Sequence, residues 1–147
     1  MKVSFPISRE ISTPAMMEEL GKEIASWVGA GDVVVLSGPL GAGKTTLTRG
    51  IGLGLGVDGP VTSPTFVIAR EHKGAPALIH VDAYRLGSAL ELDDLDLDLA
   101  SAVTVVEWGS GLVEPLAPTR LEVSIDRGDD DLRQVSIVAV GGFSVKG

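Results

Sequence analysis

The sequence contains no cysteine, which removes disulfides and thiolate zinc sites from consideration. It contains no asparagine either, so it has no N-K-x-D motif to read a guanine base, and it lacks D-x-x-G. Its single glutamine, Gln134, lies far from the glycine-rich stretch near residue 40, and a GTPase is excluded. No apolar run approaches the roughly eighteen residues that a membrane span needs. Lys2 is followed by no continuous hydrophobic stretch, so the N-terminus does not read as a signal peptide, and a cytoplasmic protein is expected. Positive charge is also scarce: 12 basic residues stand against 20 acidic ones, a net charge of −8. Proteins that grip nucleic acid do so mainly through Lys and Arg on phosphates. Here Arg49, Arg70, Lys73, Arg85, Arg120, Arg127 and Arg133 are scattered. Any nucleic acid involved would be held by another protein.

What the chain does have is a hydrophobic share of 44% over 147 residues, enough for one compact domain spanning 1–147. No linker, repeat or second domain is visible. The most informative segment is GPLGAGKT at 38–45, which fits G-x-x-x-x-G-K-[ST] through Gly38, Gly43, Lys44 and Thr45. Glycines let the backbone curl around an anion so that successive N–H groups point at a phosphate chain. The loop backbone from Gly38 through Leu40, Gly41, Ala42 and Gly43 is thereby expected to cradle a nucleoside triphosphate. Lys44 would reach the β- and γ-phosphates, the Thr45 hydroxyl would sit on Mg²⁺, and Thr46 adds a second hydroxyl. The following helix contributes the positive end of its dipole. Context agrees with the motif: Val33–Leu36 suits a buried parallel strand, and Thr45–Ile51 reads as helix until glycines at 52, 54 and 56.

Elsewhere, Val3–Ile7 reads as an edge strand limited by Pro6. A helix is expected from Pro14 to about Val28, capped by Thr13, with Met17, Leu20, Ile24 and Trp27 or Val28 as its apolar stripe. Gly29–Gly31 would stop it. Val61–Ile68 starts as a turn and ends as a strand. Further strands are read at Ala77–Asp82, Ala102–Trp108, Leu121–Ile125 and Val135–Val140, the last two flanking a polar turn at 127–131. Between residues 89 and 99, Asp94-x-Asp96-x-Asp98 opens like a calcium loop. Leu99 and Val105 occupy the positions that need glycine and glutamate, so an amphipathic segment with Leu92, Leu95 and Leu99 on one face is the better reading. These elements make an α/β fold, a three-layer P-loop domain whose mostly parallel sheet carries antiparallel strands near its edge.

Phosphoryl chemistry needs Mg²⁺, charge neutralisation and a positioned nucleophile, and its acids sit at the C-terminal ends of strands beside the loop. Asp82 and Glu107 end two such strands. Asp82 would bind magnesium, or serve as a helix cap or turn residue. Glu107 would hold Mg²⁺ or orient the attacking water, the alternative being a structural ion pair. Thr65 could sense the third phosphate or be an ordinary strand threonine. His80 reads as a buried structural imidazole, and Trp108 as a core residue or a cover for the nucleotide or a partner.

GPLGAGKTT, VTSPTF, HVDAYRL and EW, in this order and at these spacings, resemble the TsaE (YjeE) family of bacterial ATPases over about residues 31–108. The resemblance implies a Mg²⁺-dependent P-loop ATPase, weak alone, that supports threonylcarbamoyladenosine formation on tRNA by binding TsaD- and TsaB-like proteins. Those partners would hold the tRNA. It carries the phosphate loop onto Gly38–Thr46 and a switch-like segment onto Ser63–Phe66. The H-x-D-x-Y-R motif falls on His80, Asp82, Tyr84 and Arg85, and the E-W pair on Glu107 and Trp108. Lys44, Asp82 and Glu107 become the catalytic set, Thr45, Asp82 and Glu107 the metal set. Pro39 stands where the family often has Asp, and Met17 where it often has a threonine near the base. Two other classes share the loop: a small-molecule kinase, for which no stretch supplies both an arginine-bearing lid and an acceptor pocket, and a non-hydrolysing nucleotide sensor.

Overall fold

The computed structural model describes residues 4–39, 43–57, 69–82, 99–107, 117–128 and 132–146. Seven strands form one mixed sheet: β1 (Ile7–Ile11), β2 (Val33–Ser37), β3 (Ala69–His72), β4 (Ala77–Asp82), β5 (Ala102–Glu107), β6 (Arg120–Arg127) and β7 (Arg133–Val140). Their spatial order is β1-β7-β6-β2-β5-β4-β3. The central block β6-β2-β5-β4 is parallel, while β1 on β7, β7 on β6 and β3 on β4 are antiparallel. The expected parallel core with antiparallel edges is present.

Alternation along the strands sorts the core into two faces. Val34, Leu36, Leu78, Val103, Val105, Leu121 and Val123 pack with residues of two helices, α1 (Pro14–Ala25) and α2 (Lys44–Leu55). On the opposite face Val33, Val35, Ile79, Val81 and Val106 form a second buried cluster. Both described helices cover the first face. An opposite helical layer, part of the three-layer expectation, is not among the described residues.

Several boundaries differ from the sequence reading for identifiable reasons. The first strand begins at Ile7 rather than ending there, because Pro6 has no N–H to give to the ladder with β7. In α1, Thr13 caps as expected, accepting from Met16 N at 3.1 Å. The helix nevertheless stops at Ala25, where the Ser26 hydroxyl donates to the Glu23 carbonyl at 2.6 Å. Trp27 and Val28 stay buried outside the helix, and Trp27 meets Phe5 edge-on at 5.7 Å. α2 continues through Gly52 and Gly54 and ends only at Gly56, whose φ of 75° is a left-handed cap. β6 and β7 run longer than their apolar centres because the antiparallel ladder pairs Arg127 with Arg133. β3 is polar in sequence and was not expected as a strand; it forms by pairing along β4.

Glycine governs how the helices meet. A Cβ on Gly21 would collide with the Leu47 carbonyl, and one on Gly50 with the Glu18 carbonyl. The backbones therefore touch directly, which fixes α2 and the loop that precedes it. Arg9 on β1 clamps α1, with both terminal guanidinium nitrogens donating to the Glu23 carboxylate at 2.8 Å.

Candidate functional site

β2 delivers the chain to Gly38, and α2 starts at Lys44 after Gly43. Gly43 has φ 111°, a left-handed conformation that disfavours any side chain. A Cβ there would also press on Met17 Cε at 3.1 Å. Met17 is thus a buried residue packed under the end of the loop. No side chain caps the start of α2 among the described residues, and its first turn carries no acid. The helix therefore presents N–H groups and a positive dipole end suited to an anion.

Lys44 is buried, at 6% exposure, and its Nζ donates to the carbonyls of Gly38 at 2.8 Å and Pro39 at 2.9 Å. The ammonium thus lies across the start of the loop rather than extending into solvent. Thr45 and Thr46 follow in the first turn and are half-buried, and the Thr48 hydroxyl donates to the Lys44 carbonyl at 2.8 Å.

The strand register assembles the acids. Glu107 pairs with Leu36 on one side and Asp82 on the other, so three parallel strands end level with one another. Glu107 is then one strand over from a residue two positions before Gly38. It is also nearly buried, and its Oε2 lies 2.6 Å from Nε2 of the fully buried His80. Sequence reasoning placed Glu107 in the site and His80 in the core; the structure joins them. The available signal was parity: His80 is in phase with Leu78, and Glu107 with Val103 and Val105, all on the face that carries the helices. His72 lies diagonally across β3 from His80. Burial, and then the neighbouring His80 and Arg70, lower the His72 pKa below the usual histidine value. Leu40, Gly41, Ala42, Thr65, Trp108, Ser63–Phe66, Tyr84, Arg85 and the 89–98 run lie outside the described residues.

The arrangement offers an anion the N-terminal N–H groups of α2 and sets the Glu107 carboxylate level with the end of β2. Comparison with known proteins assigns it to a family. A family model described as "Threonylcarbamoyl adenosine biosynthesis protein TsaE" matches residues 11–135. The chain belongs to the TsaE family. It is 58% identical over 135 residues to the tRNA threonylcarbamoyladenosine biosynthesis protein TsaE of Streptomyces coelicolor, covering 85% of this chain and 91% of that protein. The TsaE of Bacillus subtilis is 41% identical over 132 residues, 87% of this chain and 82% of its own. Among solved structures, Bacillus subtilis YdiB superposes with a TM-score of 0.78 at 35% identity, covering 96% of this chain and 90% of YdiB. The TsaE relationship thus spans the sheet, both helices and the loop.

Proposed function

We propose that this TsaE-family chain is a cytoplasmic, Mg²⁺-dependent ATPase that supports threonylcarbamoyladenosine formation on tRNA by acting on a TsaD–TsaB-type pair. The observation that carries the reading is the N-terminus of α2, which no side chain caps among the described residues, with the buried Lys44 ammonium laid along the loop carbonyls at its entrance. ATP would bind with its phosphates on the backbone from Gly38 to Lys44 and on Thr45 and Thr46. Lys44 would leave the Gly38 and Pro39 carbonyls to meet the β- and γ-phosphates. Magnesium, when bound, neutralises the phosphate charge, and Thr45, Asp82 and Glu107 are the residues that would hold it. Glu107 would instead orient the attacking water if it does not hold the metal. Thr65 and Trp108 complete the proposed nucleotide set. The net charge of −8 agrees with leaving tRNA to the partner proteins.

In a cell depleted of its own copy, the wild-type chain should restore threonylcarbamoyladenosine measured by mass spectrometry of digested tRNA. Glu107→Ala, expressed at equal level, should leave the modification near the depleted baseline. Full restoration by Glu107→Ala would remove that residue from the mechanism. No restoration by the wild type would remove the tRNA-modification reading itself.

A further inference from the structure

We propose that His80 is a positioning residue that holds one oxygen of Glu107 and so fixes the direction in which the other faces. The inference rests on the ATPase reading for its consequence, but the geometry stands without it. His80 has no exposed surface, and its Nε2 lies 2.6 Å from Glu107 Oε2. Its other nitrogen, Nδ1, is buried with no hydrogen-bond partner among the described residues. The carboxylate is thus the imidazole's polar partner. A ring serving only to fill the core would bury less polarity as leucine or methionine, since an unpaired ring nitrogen costs free energy. The hydrogen bond is what the histidine adds.

Strand geometry explains why it must come from position 80. In the parallel pair β4·β5, Asp82 stands beside Glu107 and His80 beside Val105. Glu107 therefore leans back along the strand by two residues to reach His80, on the side of β5 opposite β2 and the loop. Oε2 is drawn toward β4. A carboxylate at a strand end is otherwise free to rotate about its side-chain torsions, and tethering one oxygen removes most of that freedom. Partners that orient a site's ligands in this way are typically worth about tenfold to a hundredfold in activity when lost.

The test combines turnover, nucleotide affinity and imidazole NMR. Measured with the TsaD–TsaB pair, His80→Leu should lower kcat about tenfold to a hundredfold while calorimetric ATP affinity stays at the wild-type value. His80→Gln, which restores an N–H donor at the end of a chain of similar reach, should regain most of the turnover. In a Glu107→Gln background, His80→Leu should cost nothing further, because the carboxylate it positions is already gone. On the nucleotide-free protein, ¹⁵N spectra should show the His80 proton on Nε2, with a downfield, exchange-protected signal that moves upfield in Glu107→Ala. Wild-type turnover in His80→Leu, equal losses of kcat and affinity, or full additivity with Glu107→Gln would each overturn the proposal. If the wild type hydrolysed no ATP at all, the functional reading would fall. The imidazole signal would then still decide whether His80 holds Glu107.

Discussion

Lys44→Ala should weaken ATP binding by about tenfold to a hundredfold and reduce hydrolysis to background. That range follows from losing one charge-assisted hydrogen bond, about 1.5–3 kcal/mol, which is a factor of roughly ten to a hundred and fifty in Kd. The structure shows why a smaller loss is not expected. The ammonium is already desolvated, at 6% exposure, and already bonded to Gly38 and Pro39 at 2.8 and 2.9 Å. Moving from those carbonyls to phosphate oxygens exchanges hydrogen bonds between two buried settings and adds the attraction of opposite charges. Alanine would forfeit that attraction and leave both carbonyls without the lysine donor. Isothermal titration with ATP and Mg²⁺ measures the effect, and near-UV and far-UV circular dichroism check that the fold survives. Unchanged affinity would mean that the nucleotide does not sit on this loop.

Gly50→Ala should lower stability by about 2–3 kcal/mol, within the range for forcing a methyl into a packed core, or roughly 5–10 °C in Tm for a chain of this size. Two effects compete. Alanine is the better helix former by about 1 kcal/mol, and in an exposed turn it would stabilise α2. At position 50 the added Cβ instead meets the Glu18 carbonyl, backbone of α1 and not the tip of a side chain that could swing aside. The helices would have to separate, and Leu47, Ile51, Leu20 and Ile24 would lose packing around the contact. The clash outweighs the propensity. Gly29→Ala serves as the control, because its methyl would meet only Lys146 side-chain carbons at 3.5 and 3.6 Å. Calorimetric melting should separate the two variants clearly. Equal Tm values would show that α1 and α2 are not in backbone contact.

These two positions also show what the sequence could and could not reveal. The strand-loop-helix around 38–45 was legible because a fixed motif follows a β-branched run, and both flanking elements appear where that context requires. The apolar stripe of α1 was legible because its residues recur at helical spacing, and Met17, Leu20 and Ile24 are indeed buried. The glycines of α2 misled, since local propensity marks them as helix breakers. Their role depends on a neighbouring helix, which no local pattern announces. β3 was missed for a related reason: Arg70 and Glu71 carry no apolar alternation, and the strand exists because β4 supplies hydrogen-bond partners. Asp82 and Glu107 could be singled out as acids ending apolar runs. Their register, and the bond that ties Glu107 to His80, required the sheet order β2-β5-β4. Sequence thus placed both acids at strand ends, and the contacts between them and their neighbours came only with the fold.

Nucleotide hydrolysis coupled to partner proteins is the central expectation for this chain. The most direct measurement is the rate of ATP hydrolysis by the purified chain, alone and with the TsaD–TsaB pair of its own organism, with Lys44→Ala in parallel. A slow basal rate, strongly raised by the pair and abolished in Lys44→Ala, is the predicted result. Tight ATP binding without stimulation by the pair or association with it would contradict the account.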